Sequence, residues 1–101
     1  MTPLRPRFSR LARSDFREAF QYYEAQRKGL GREFAVEVGN TVRKVLEHPL
    51  RWPVISGDVR KCRTDRFPYG VLYKVKADHV RILTVMHLRR KPGYWERGSE
   101  E

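Results

Sequence analysis

The chain has 101 residues, enough for one domain around one core. Hydrophobic residues make up 40% and charged residues 34%, which suits a small globular chain with a thin core; no apolar run reaches the roughly 18 residues that a bilayer span needs. Lysine and arginine total 22 against 12 acidic residues, a formal net charge of +10, which points to a nucleic acid or an acidic polypeptide as partner.

Arg7 to Leu11 is expected to form a first strand. Ser14 and Asp15 then open an amphipathic helix, with Glu18 supporting the first turn in a capping arrangement. Phe16, Ala19, Phe20 and Tyr23 fall at i, i+3, i+4 and i+7, on one helical face. Gly29 and Gly31 are expected to end that helix and reverse the chain. A second periodic run places Phe34, Val38, Val42, Val45 and Leu46 on one side, and Pro49 closes it by restricting His48. The pair makes a helical hairpin.

The period then falls to two. Val59 to Thr64 is expected to be a charged strand. Phe67, Tyr69, Val71, Tyr73 and Val75 alternate with Lys74 and Lys76 opposite, the pattern of a half-buried strand. Ala77-Asp78 turns the chain into Val80 to Leu88, which is apolar on both faces as a central strand requires. Pro92 ends the sheet before a short turn or helix carrying Tyr94 and Trp95, and residues 98–101 are expected to be a flexible tail on a domain of residues 1–97. The fold class is therefore α+β: an N-terminal strand, a helical hairpin, then a three-stranded antiparallel meander whose sheet packs on the two helices, with a short C-terminal turn or helix.

The basic N-terminus lacks the hydrophobic stretch of a secretory signal, so the cytoplasm is the expected address. Cys62, the only cysteine, excludes an intramolecular disulfide and a multi-cysteine zinc site. No His, Cys or carboxylate spacing suggests a metal, and no glycine-rich loop suggests a nucleotide cofactor, so none is expected. Basic side chains gather at Arg60-Lys61-Arg63-Arg66 and at Arg89-Arg90-Lys91. Lys61 and Arg63, two apart on a strand, point to one face. Arg89 and Arg90 close the last strand beside Tyr94-Trp95, an arrangement that can clamp phosphates and stack a base. The blander reading makes them edge charges that discourage aggregation, with Trp95 pinning the C-terminus to the core. His87 suits either general acid–base work or a structural role. A chain that cleaves with Lys, Arg and a Tyr or His would stabilise phosphate charge during attack by a ribose 2′-hydroxyl, which confines it to RNA.

Arg66-Phe67-Pro68-Tyr69-Gly70-Val71-Leu72-Tyr73, then Val80-Arg81-Ile82-Leu83, then His87 to Trp95 (H-L-R-R-K-P-G-Y-W), resembles the C-terminal half of RelE/ParE toxins, and the hairpin with its Glu47-His48-Pro49 exit resembles their N-terminal half. The resemblance implies a curved sheet carrying the helix pair, and growth inhibition held in check by an acidic antitoxin whose C-terminal segment wraps the toxin. Operator DNA would be met only through that complex, and no membrane is involved. RelE-like members cut mRNA on the ribosome; ParE-like members inhibit DNA gyrase. Position by position, Lys61 and Arg63 are similar to the RelE-like strand cations and Arg90 to the arginine closing the last strand, with Tyr94 or His87 for proton transfer. Position 70, an arginine in that branch, is Gly70, and Tyr94 falls beside the expected tyrosine position. The Phe-Pro-Tyr-Gly stretch and Tyr94-Trp95 are closer to the ParE branch. That branch implies a non-catalytic gyrase inhibitor with Arg89, Arg90, Trp95 and Arg97 as the contact surface. The alternatives are a metal-independent RelE-like endoribonuclease and a non-toxic basic nucleic-acid-binding module.

Overall fold

A computed structural model describes residues 4–99. The elements run β1 (Arg5–Phe8), α1 (Arg10–Gln26), α2 (Leu30–Glu47), β2 (Val54–Ser56), β3 (Val59–Arg63), β4 (Tyr69–Val75), β5 (His79–His87) and α3 (Glu96–Ser99). The sheet order is β1-β5-β4-β3-β2, with β1 parallel to β5 and the remaining pairs antiparallel. The architecture is the expected α+β arrangement, with one more strand than the sequence pattern indicated.

The first helix begins at Arg10, not at Ser14, and the first strand ends at Phe8 rather than running to Leu11. Ser9 is the reason. Its hydroxyl accepts from the Ala12 N–H at 3.0 Å and donates to the Leu83 carbonyl at 2.7 Å. One side chain thus satisfies a helix-start donor and a strand acceptor together, which Ser14, exposed on the helix, has no means to do. Asp15 is accordingly a buried residue within the helix rather than its opener.

Between the helices the glycines play parts other than the expected terminators. The first helix ends at Gln26, and Gly29 is the N-cap of α2 at φ +90°, a left-handed conformation that glycine tolerates without strain. Gly31 lies inside α2. A Cβ there would stand 2.8 Å from the Phe20 carbonyl oxygen, so a hydrogen at this position lets α2 approach α1. Glu24 of α1 caps α2 from across the turn, its two carboxylate oxygens accepting from Gly29 N–H at 2.9 Å and Gly31 N–H at 3.0 Å.

The unanticipated strand, β2, pairs with β3 through an irregular register, and all its residues are exposed. Pro53 and Gly57 flank it. Three residues between such breakers leave no alternation to detect.

The sheet is buried on both faces at its centre. On the helix side, Val71, Tyr73, Val80, Ile82 and Val85 pack with Phe34, Val38, Val42 and Val45. On the other side Val59, Leu72, Leu83 and Met86 form a second cluster, covered by Tyr94 and Trp95. Leu72 and Tyr73 are both fully buried, so β4 is a central strand rather than the half-buried one its lysines suggested. Gly98 and Ser99, expected to belong to the tail, lie in α3, and residues 100–101 lie outside the described residues. Among the described residues, no helix is long and apolar enough to cross a membrane.

Candidate functional site: two basic surfaces and a tyrosine cleft

Of the first basic cluster, two members are tied into the fold. Arg60 donates to the carbonyls of Trp52 at 2.6 Å and Leu50 at 3.2 Å, bracing the segment before β2. Arg66 is held to Glu33 at 2.8 Å and its guanidinium lies 5.4 Å from the Phe67 ring centroid. Lys61 and Arg63 share one face, as the strand alternation predicted, and it is the face opposite the helices: Lys61 pairs with Leu72 and Arg63 with Gly70. The Lys61 stem lies across Gly70, where a Cβ would meet Lys61 Cγ and Cδ at 3.3 Å and Leu88 Cδ2 at 3.4 Å. Gly70 therefore supplies no third cation to this face.

His87 lies on the opposite side of the sheet. It pairs with Tyr69, whose ring it meets edge-on at 5.3 Å between centroids. Tyr69 in turn packs at 5.0 Å on Phe34 of α2, which fixes this as the helix face. The Arg89 N–H donates to His87 Nδ1 at 3.1 Å, so the neutral ring carries its proton on Nε2.

Tyr94 is anchored. Its hydroxyl donates to Asp15 Oδ1 at 2.7 Å, while the Thr84 hydroxyl donates to Asp15 Oδ2 at 2.6 Å. Burial, then the bond to Asp15, pushes the Tyr94 phenol above its ordinary range, so it keeps its proton. Arg90 stacks on the Tyr94 ring at 4.7 Å and Arg97 at 5.6 Å. Trp95 is half-buried against the second cluster, the pinning role weighed for it from the sequence. Arg89, Arg90 and Arg97 are exposed around this anchor. The structure thus brings Arg90, Tyr94 and Arg97 together, joins His87 to them through the Arg89-Arg90 turn, and places Lys61 and Arg63 on the sheet face that Tyr94 and Trp95 cover, opposite His87.

Two hollows flank the helices. One, of about 440 Å³, opens between α1 and the adjoining ends of β4 and β5, with Glu18, Tyr23, Gln26, Tyr69, His87 and Arg90 among its walls. Burial pushes the Tyr69 phenol up to about 12 and raises that of Tyr23. The other, of about 720 Å³, is an apolar groove along the hairpin lined by Phe8, Phe16, Phe20, Val38 and Val42, with Arg13 and Arg17 beside them. Sequence periodicity assigned Phe16, Phe20 and Tyr23 to the core and left these openings unseen. Asp15 also went unrecognised; the available signal was a carboxylate inside a helix, on the same face as Ala12 and Ala19.

No curated protein gives a match to this sequence. Among solved structures, the chromosomal ParDE TA system from P. aeruginosa superposes with a TM-score of 0.74 at 16% identity, covering 83% of this chain and 95% of that one, a likeness of fold. The family described as ParE toxin of type II toxin-antitoxin system, parDE, matches residues 7–92. With nearly the whole chain inside that match, it belongs to the ParE toxin family of type II toxin–antitoxin systems.

Proposed function

We propose that this chain inhibits growth by binding DNA gyrase through its C-terminal basic surface, blocking replication without catalysing a reaction of its own. The observation that carries this reading is that neither candidate proton-transfer group is free beside the Lys61 and Arg63 cations. Lys61 and Arg63 share one face, His87 borders the cleft on the other, and Tyr94 is committed to Asp15. Phosphodiester cleavage without a metal needs charge stabilisation and proton transfer within a few ångströms of one phosphate. A set divided in this way favours contact over catalysis. Arg90 and Arg97, stacked on Tyr94, form with Arg89 and Trp95 the surface that suits an acidic protein target.

The antitoxin partner has its own fit in the apolar groove of the hairpin. An amphipathic helix would lay its apolar stripe against Phe16, Phe20 and Val42, with acidic flanks toward Arg13 and Arg17. Toxin control then rests on a surface separate from the one that meets gyrase.

Induced expression of the chain in a bacterium, with pulse labelling of DNA and protein synthesis, tests the target. DNA synthesis is expected to stop first while translation continues, and the purified chain is expected to inhibit gyrase supercoiling. Arg90→Ala should weaken that inhibition by about tenfold or more, as loss of an interfacial arginine anchor does. An early translation stop with cut mRNA, abolished by Lys61→Ala, would overturn the reading in favour of RNA cleavage.

A further inference from the structure

We propose that the cleft between α1 and the ends of β4 and β5 is a receptor for a glutamate or aspartate side chain carried on a peptide segment of a partner protein. Its walls hold donors suited to one carboxylate. The Arg90 guanidinium stands at the rim, stacked on Tyr94. His87 offers Nε2–H, since Nδ1 already accepts from the Arg89 backbone. Tyr23 and Tyr69 stand together in the wall with ring centroids 6.1 Å apart, and burial raises both phenols, so each keeps its proton to offer. An arginine fork with neutral O–H and N–H donors is a strong carboxylate clamp.

The other wall decides between a peptide and a nucleic acid. Asp15, already accepting from Thr84 and Tyr94, lines it from α1 with Glu18 and Gln26. These carboxylates repel a phosphate chain, with one charge per unit, more than a single carboxylate side chain, while Glu18 accepts from the N–H groups of a peptide and Gln26 both donates to and accepts from a peptide backbone. The volume of about 440 Å³ lies within the range of ordinary ligand pockets and holds one side chain with its neighbouring backbone. The net charge of +10 draws an acidic segment toward it. The proposal does not depend on which enzyme the toxin inhibits.

The test is an NMR titration of the isotope-labelled full chain with the capped peptide acetyl-Leu-Glu-Leu-Glu-amide, its glutamine counterpart and inorganic phosphate. Saturable shifts at His87 and Tyr69 are expected with the glutamate peptide, with binding about tenfold weaker for the glutamine peptide. Arg90→Ala should weaken binding about tenfold, and Tyr23→Phe, which keeps the ring and its packing, about threefold or more. Three results would overturn the proposal: shifts spread over the Lys61 and Arg63 face, phosphate binding more tightly than the peptide, or Tyr23→Phe binding like the unaltered chain while its spectrum shows the same fold. Because the readout is binding to the isolated chain, failure here leaves the gyrase reading standing, and failure in the supercoiling assay leaves this one standing.

Discussion

Phe34 is fully buried where four aromatic rings meet, with centroids of Phe16, Tyr23, Phe67 and Tyr69 at 5.7, 5.3, 5.3 and 5.0 Å. It joins both helices to the strand that carries the cleft. Phe34→Ala is expected to cost about 3–5 kcal/mol, seen as a large drop in the melting midpoint. That residue was legible, because its spacing to Val38 and Val42 marks a buried helix face. Asp15 was not, because its two partners, Thr84 and Tyr94, are 69 and 79 residues away in sequence and no local pattern reports them. Asp15→Asn replaces one acceptor oxygen by a donor that faces another donor, and is expected to cost about 1–3 kcal/mol. It should also loosen the C-terminal turn, which limited proteolysis after Arg97 would detect as faster cleavage.

At the scale of elements, the helical hairpin is fastened at its turn by carboxylates. Hydrogen bonds from the Gly29 backbone first, then from Gly31, hold the Glu24 carboxyl below the ordinary glutamate range; bonds from Arg66, then Arg27, do the same for Glu33. A folded pKa below the unfolded one means that the unfolded chain binds more protons between the two values. Stability from these groups is therefore complete above the ordinary glutamate value, near ~4.3, and is lost as pH falls through the depressed folded values. Urea midpoints are expected to be level above about pH 5 and to decline below about pH 4, with a shallower decline in Glu24→Gln. The helices could be read from the sequence because each presents a continuous apolar stripe. Pro49 marked the end of α2, but the start of α1 and the turn between the helices could not be read: the start of α1 depends on the Ser9 bond to Leu83, and Gly31 is required by the backbone of α1 rather than by a turn. Pairing of β1 beside β5 was equally invisible, since four mostly exposed residues carry no alternation.

For the whole molecule, charge and shape act at different ranges. A net charge of +10 accelerates encounter with any acidic partner, whereas the groove and the cleft determine what stays bound. Association with an antitoxin of the acidic kind proposed above is expected to slow about tenfold or more between ~0.05 M and ~0.5 M salt, with a much smaller change in dissociation, measurable by stopped-flow mixing. Family, fold class and the face carrying Lys61 and Arg63 were all accessible from the sequence. The placing of His87 on the face opposite Lys61 and the commitment of the Tyr94 hydroxyl were not, because they depend on Tyr69 pairing with His87 and on Asp15 fixing Tyr94. The parallel pairing of β1 with β5 has a further consequence for synthesis. Arg5 lies opposite His79, and Ser9 reaches Leu83 across 74 residues of sequence, so the first strand has no neighbour until the last is made. Such distant closure is a late event in folding. A partly synthesised chain lacks the strand that seats its own beginning and on which both helices pack. The finished sheet, with every surface built on it, therefore exists only once the final strand has been made.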